Sequence, residues 1–248
     1  VIRVKTEEQI ERIGRAGRIV AACHQEIAKR LRSGVTTMEI DKFAEAFMNN
    51  QGARAAQKGY RGYPFATCAS VNDVVCHGFP THVPLRNGDV ITIDMVAELD
   101  GWMGDSAWTY AIGTPSAEVM KLMKATKQAL LLGIEQAVAG NKLGDIAHAV
   151  QKVADQEDYA VVESFVGHGI GRDMHEEPTV NHTGKAGSGK RLRKGMVITI
   201  EPIFTMGRPD VYLDKDGWTA RSIDGAWSAQ YEHTIAITEG KPIILTSL

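Results

Sequence analysis

The sequence predicts a mixed α/β (α+β) fold in which an ααββ unit occurs twice, as two pseudo-symmetric halves sharing one sheet. Three observations carry this. The decapeptide Leu85–Asp94 (LRNGDVITID) returns 107 residues later as Leu192–Glu201 (LRKGMVITIE), identical at seven of ten positions and ending in a carboxylate both times. Val75-Cys76-His77-Gly78 has a counterpart in Val166-Gly167-His168-Gly169, while Gly34, Glu39 and Ile40 have theirs in Gly140, Asp145 and Ile146. Each half also runs from helical apolar spacing into β-branched apolar stretches. One duplication is too few copies for a solenoid. A single domain over residues 1–248 is therefore expected, with halves of roughly 6–112 and 113–240.

The elements follow in order. Thr6 and Gln9 form a capping box ahead of Ile10, Ile13, Gly17, Val20, Ile27 and Leu31, a helical face that runs until Gly34. Thr36 and Glu39 cap a second helix through Ile40, Phe43, Ala44 and Phe47. Cys68–His77 and Val90–Ile112 read as strands, rich in Val, Ile, Thr and aromatic residues. From Pro115 the order restarts, with a helix through Val119, Leu122, Thr126, Leu130 and Ile134 and another through Ile146, Val150 and Val153. Strands follow again.

Composition bounds the function. Apolar residues at 44% and charged residues at 23% are those of a globular chain. A net charge of -2 supplies no global field for nucleic acid or anionic membrane. Three cysteines without a CxxC suit a reducing compartment, so a cytoplasmic location is expected. Val1–Glu8 carries charges with no apolar run behind it, so no signal peptide is expected, and the longest apolar stretch, Ala129–Ile134, is far short of the roughly 20 residues of a membrane span.

The chemistry lies in the carboxylates. Asp100-Gly101 is a strong two-residue hairpin signal, and with Leu99 facing Trp102 the register places Asp94 opposite Ala107 and Asp105 opposite Val96. Asp94 and Asp105 then share one face as diagonal neighbours, about 7 to 8 Å apart backbone to backbone. Two like charges so placed disfavour each other's ionisation unless a cation sits between them. Glu201 follows Val197-Ile198-Thr199-Ile200, and Glu232 precedes Thr234-Ile235-Ala236-Ile237. Four carboxylates that end or interrupt apolar strands, with His168, make an oxygen-rich donor set suited to Mn, Fe(II) or Co, and hence to a two-metal hydrolase. His24, His82, His148 and His182 read as structural. Gly184–Lys190 begins like a phosphate loop, but Arg191 stands where Ser or Thr would hold Mg²⁺.

Taken together, Asp94 and Asp105 at that spacing, Gly167-His168-Gly169-Ile170-Gly171, His175-Glu176-Glu177-Pro178, Ile200-Glu201-Pro202 and Glu232-His233 resemble, in order and over essentially the whole chain, the type I methionine aminopeptidases. The short run from Glu201 to Glu232 leaves no room for the type II insertion. The resemblance implies the pita-bread (creatinase/aminopeptidase-like) fold with its curved sheet, and removal of the initiator methionine from peptides and nascent chains, preferring a small second residue. It implies two divalent ions per chain, Co, Mn or Fe(II), with Zn or Ni as further candidates, and one Na or K ion. By the same resemblance Asp105 and Glu232 bridge the metals, His168 and Glu201 complete one site, and Asp94 chelates the other.

His77 and His175 match the two histidines that contact the substrate, with Glu201 relaying a proton. Tyr60, Tyr63, Cys68, Met174 and Trp218 fall at methionine-pocket positions, and Asn72, Val74 and Ser228 at backbone positions that hold the monovalent cation. Two pocket positions depart from the commonest bacterial pattern: Gln57 stands where Cys is usual, and Met174 where Phe is usual. A monomer without membrane attachment is expected, with transient ribosome contact considered through Lys185, Lys190, Arg191, Arg193 and Lys194. The competing class is a non-catalytic pita-bread protein that binds peptide or ribosome, to be told apart by metal content and turnover.

Overall fold

The computed structural model describes residues 1–248. Helices α1 (Glu7–Ala28) and α2 (Thr37–Asn50) lead into strands β1 (Arg54–Ala55), β2 (Cys68–Val71), β3 (Val74–Cys76), β4 (Val90–Leu99) and β5 (Trp102–Ala111). The order then restarts with α3 (Ala117–Glu135), α4 (Leu143–Glu157), β6 (Ala160–Val161), β7 (Gly167–Gly169), β8 (Glu176–Val180) and β9 (Val197–Ile200). It closes with β10 (Ile203–Thr205), β11 (Val211–Leu213), β12 (Ala220–Ser222), β13 (Ser228–Gln230), β14 (His233–Ala236) and β15 (Ile243–Ile244).

Both N-terminal capping boxes form: the Thr6 and Thr36 hydroxyls accept from the backbone of Gln9 and Glu39, whose side chains accept in return from the cap N–H groups. The first helix is shorter than its apolar spacing predicts. It ends at Ala28 because the N–H groups of Arg30 and Leu31 both turn to the Ile27 carbonyl, at 2.8 and 3.0 Å, which tightens the last turn and stops propagation. Leu31 still packs on the core from the loop. The Gly184–Lys190 segment is a loop whose N–H groups are already engaged, Gly187 by Asp145 and Gly184 by Gln151, so it presents no phosphate cradle.

Strand β4 is the spine of the first half, antiparallel to both β2 and β5, with β1 pairing its far end. The second half holds the ladder β15-β14-β9-β7-β8 and the shorter ladder β13-β10-β6, while β3 crosses to pair β12, whose other edge pairs β11. The two sets of strands meet along β5. Glu232 donates its N–H to Ala107 O (2.8 Å), and the Thr109 hydroxyl both donates to Gln230 O (2.7 Å) and accepts from Gln230 N (2.9 Å). Helices α1 and α2 cover the outer face of β4 and β5, and α3 and α4 cover β9, β10 and β13.

Two contacts set how tightly these layers close. A Cβ on Gly104 of β5 would lie 2.5 Å from Gly17 N and 2.6 Å from Gly17 Cα, and a Cβ on Gly17 would lie 2.3 Å from the Leu245 carbonyl oxygen. Strand, helix and C-terminal segment therefore stack backbone on backbone, which only glycine permits. At the other edge, the N-terminal segment docks behind the loop before β8: Lys5 N–H donates to Gly195 O (2.7 Å), and the buried Lys5 ammonium pairs with Glu176 Oε2 at 2.7 Å.

Gly104→Ala should destabilise the protein by about 1 to 3 kcal/mol through overpacking against backbone that has nowhere to move. Gly14→Ala, whose added methyl meets the flexible tip of Arg18 at 3.3 Å and otherwise makes ordinary side-chain contacts with Leu245 and Glu11, should be neutral or stabilising by up to about 1 kcal/mol. Urea unfolding of the two variants beside the parent checks the contrast.

Candidate active site

The hairpin turn at Asp100-Gly101 fixes the register that the site is built on. Leu99 pairs with Trp102, Asp94 with Ala107 and Val96 with Asp105, so the two aspartates project from one face as their spacing predicts. Asp105 is then held from the second half: its N–H donates to Thr234 Oγ1 (3.1 Å), and that hydroxyl donates back to Asp105 O (2.8 Å). The neighbouring Ser106 hydroxyl donates to Glu232 O at 2.7 Å, which draws Glu232 to the same floor.

His168 and Glu201 arrive from the adjacent strands β7 and β9. The imidazole Nδ1 of His168 donates to Gly169 O (2.9 Å), which leaves the Nε2 lone pair facing Asp105 Oδ2 at 3.7 Å and Glu201 Oε1 at 3.6 Å. Glu201 accepts from the Thr199 hydroxyl at 2.7 Å and from the Gln230 amide at 3.4 Å, and its backbone N–H is accepted by His182 Nε2 at 3.0 Å.

The electrostatics are those of a site short of positive charge. Burial pushes Asp94 up to about 6 and Glu201 up to about 8. Asp105 and Glu232 rise well above the ordinary carboxylate range, by burial first and then by repulsion from the neighbouring carboxylates. The same burial lowers His168 to about 3, which keeps its ring neutral and able to ligate. Asp105 Oδ1 and Glu232 Oε1 are buried with no hydrogen-bond partner, a costly state for a carboxylate oxygen. One ligand atom each from Asp105, His168 and Glu232 lies within 4.8 Å of the others. Two orphaned carboxylate oxygens and a neutral imidazole converging on one point fit a divalent cation.

Above this floor opens a cavity of about 370 Å³. Asp94, Asp105, His168, Glu201 and Glu232 lie at its base, and Tyr60, Tyr63, Cys68, Met174 and Trp218 on its walls, with His77, His175 and Gln57. The structure thus brings every expected metal, substrate and catalytic position to one cavity. Tyr63 and Trp218 meet edge to face at 5.1 Å, and His77 stands edge-on to Phe165 at 5.1 Å. Burial lowers His77 to about 4 and also lowers His175, whose Nδ1 lies 2.8 Å from the Tyr60 hydroxyl.

Asn72, Val74 and Ser228 also meet, away from the cavity. The Asn72 carbonyl accepts from Ser228 N–H at 3.1 Å and the Val74 carbonyl from the Ser228 hydroxyl at 3.4 Å.

Sequence reasoning missed the groups that hold these residues: Thr199, Thr234, Gln230 and His182. Thr199 was within reach, because it sits two residues before Glu201 on the same face of β9. His182, read as a generic structural histidine, has a particular structural task behind Glu201.

Comparison with known proteins agrees with this geometry. The model of metallopeptidase family M24 matches residues 11–239. The chain is similar to methionine aminopeptidase 1 of Bacillus subtilis, 43% identical over 99% of each chain. Among solved structures it is similar to methionine aminopeptidase from Thermotoga maritima (TM-score 0.98, 37% identical, all of both chains) and to that from Rickettsia prowazekii (TM-score 0.97, 38% identical, 99% of this chain and 100% of the other).

The buried carboxyls make stability depend on pH in a defined window. Groups with raised folded values keep protons that the unfolded chain has released, so their contribution is lost as pH rises through those values. His24, His77, His168, His182 and His233, all lowered from 6.5 to about 3 or 4, act oppositely but only below about 6.5. Between about pH 6.5 and 8 the carboxyls stand alone, and each proton held only by the folded state costs about 1.4 kcal/mol per pH unit when released. Chelator-treated protein should therefore melt at a lower temperature at pH 8.5 than at pH 6.5, with Mn²⁺ removing the difference. A melting temperature flat across that range in chelator would contradict it.

Proposed function

The chain belongs to metallopeptidase family M24, and we propose that it works as a methionyl aminopeptidase of the pita-bread fold, hydrolysing the first peptide bond of chains that begin with methionine. The single observation that carries this is the cavity itself, in which a metal-fitting floor of carboxylates and one imidazole faces a wall of sulfur and aromatic groups sized for a thioether. Asp94, Asp105, His168, Glu201 and Glu232 would hold divalent ions, two in this reading, with Asp105 and Glu232 shared between them. Bound there, such ions supply Lewis acidity toward the scissile carbonyl and toward water.

The chain's own groups do the rest. Tyr60, Tyr63, Cys68, Met174 and Trp218 receive the methionine side chain, and buried Gln57 shapes the wall between Cys68 and Asp94. Glu201, steadied by the Thr199 hydroxyl, takes the proton of the attacking water and returns it to the departing amine. His77 and His175 are neutral at working pH. With Tyr60 donating to Nδ1, His175 presents Nε2–H to the oxygen of the scissile carbonyl as negative charge develops there. The second residue's side chain would meet the cavity wall at Val166 and His168, a strand whose Gly167 and Gly169 pack directly on the backbones of Thr199 and Glu177 and so leave the wall no room to recede. Small second residues fit that wall.

Mn, Fe(II) and Co suit the oxygen-rich donor set, with Zn and Ni as alternatives. A Na or K ion at the Asn72, Val74 and Ser228 carbonyls uses their second lone pairs. No helix is long and apolar enough to cross a membrane. A cytoplasmic monomer acting on nascent chains is the reading the composition supports. In the basic cluster Lys190 pairs with Glu177, Lys194 with Glu7, and Arg191 caps the Gly140 carbonyl, which leaves Lys185 and Arg193 as the groups free for a transient ribosome contact.

Metal-loaded protein should release Met from Met-Ala-Ser, and failure to do so would sink the reading. Asp105→Ala and Glu232→Ala should each bind less than two metal equivalents by atomic emission and lose more activity than Asp94→Asn. His77→Ala should lower turnover with its metal retained.

Selectivity at the second residue follows from the crowded wall. Met-Ala-Ser and Met-Gly-Ser should outpace Met-Lys-Ser and Met-Phe-Ser by roughly 5- to 150-fold in kcat/KM, the equivalent of about 1 to 3 kcal/mol of overpacking. Comparable rates in a discontinuous assay would remove the crowding argument.

A further inference from the structure

The cavity that holds four carboxylates has one permanently charged cation on its wall, Arg61, and nothing in the mechanism uses it. The side chain is exposed, has no carboxylate within 4.0 Å and donates no hydrogen bond to the rest of the chain; Arg86, Arg172 and Arg193 are likewise unpaired, but only Arg61 lines the cavity. It also sits in a conformation that costs free energy: φ 47° and ψ 29° place it in the left-handed region, within a short turn between Gly59 (φ 90°) and Gly62 (φ 86°). The turn is closed by Gly59 N–H donating to Tyr63 O at 2.7 Å. The guanidinium carbon lies 5.3 Å from the centre of the Tyr60 ring, and that ring carries the hydroxyl 2.8 Å from His175 Nδ1.

The position defines what Arg61 can meet. The closed end of the cavity is formed by Tyr63, Cys68 and Met174, each no more than 5% exposed, so a methionine seated there sends the rest of its chain toward the open end. The scissile bond lies among the carboxylates and His175, and two further residues of extended chain cover about 7 Å. Tyr60, in contact with His175, and the exposed Arg61 beside it stand on the rim toward which that third residue would run. An unpaired guanidinium favours a carboxylate there and disfavours an ammonium.

We propose that Arg61 is a specificity-determining residue that reads charge just beyond the second residue of the substrate, favouring a carboxylate, whether the side chain of an acidic third residue or the terminal carboxylate of a tripeptide. The proposal rests on the aminopeptidase reading above and adds a subsite to it.

The test compares Mn-loaded protein on Met-Ala-Asp-Gly-amide, Met-Ala-Lys-Gly-amide, Met-Ala-Ser and Met-Ala-Ser-amide. The first two isolate the side chain and the last two the terminal carboxylate. At low salt the Asp peptide should exceed the Lys peptide by about fivefold in kcat/KM, mainly through KM, and the ratio should shrink toward one in 1 M NaCl. Arg61→Asn, which tolerates the left-handed backbone, should bring the ratio to one; Arg61→Lys should keep part of it and Arg61→Glu should invert it. Because each result is a ratio within one variant, a general loss of activity does not disturb it. A ratio of one in the parent, or a parent ratio that survives in Arg61→Asn, overturns the proposal. If no peptide releases Met, the aminopeptidase reading is what has failed, and calorimetric titration of the same four peptides still measures the Arg61 preference.

Discussion

Everything in this protein is arranged around one costly act, the burial of four carboxylates on a common floor. Left to themselves Asp94, Asp105, Glu201 and Glu232 would repel one another and hold protons they would give up in water. The chain keeps them together by hydrogen bonds to their backbones, and only the Glu201 and Asp94 carboxylates are also held by side chains, from Thr199, Gln230 and Gln57. Thr234 brackets the Asp105 main chain, Ser106 grips Glu232 O, and His182 receives Glu201 N–H, while Asp105 Oδ1 and Glu232 Oε1 are left with no donor at all. Fixing the strands and leaving the acceptors bare is how a site is preorganised for a cation.

That arrangement requires two halves to be held in register across β5. The hydroxyls of Ser106 and Thr109 reach over to the Tyr231 side of the junction, and the Gly104–Gly17 contact allows α1 to press β5 inward from behind. The site is therefore sensitive to packing at a layer that touches none of its ligands. The duplication explains the economy of the design: a Val-Ile-Thr-Ile run followed by a carboxylate is used twice, with Asp94 and with Glu201, and a His-Gly pair twice, as His77 and His168. The copies have diverged in task, since His168 lies against Asp105 and Glu201 while His77 stands against Phe165 and Trp218.

Much of this was legible in the chain because its signals are local. Asp100-Gly101 fixes a hairpin, a hairpin fixes a register, and the two-residue period of a strand then fixes which carboxylates share a face. Capping boxes at Thr6 and Thr36 announce the helix starts for the same reason. The length of α1 was harder, because apolar spacing continues to Leu31 in a segment whose backbone has already turned. What could not be read were partnerships between residues far apart in sequence. Nothing near Glu201 says that His182 lies beneath its amide or that Gln230 reaches its carboxylate, and nothing near Arg61 says that its left-handed turn faces the cavity. Such contacts exist only once tertiary packing has brought the strands together.

The Lys5–Glu176 ion pair joins residues 171 positions apart, and it lies one residue from His175. A link of such long range closes late in assembly, because the loop-closure entropy is met only when the intervening chain is already folded. Were the pair broken, Glu176 would remain in a buried setting without its cation, and the loop bearing Met174 and His175 would lose its backing. The segment around Lys5 thus acts as a clasp on the far side of the cavity wall. Amide exchange along Gly171–Glu177 would report the release of that clasp rather than the stability of the helices.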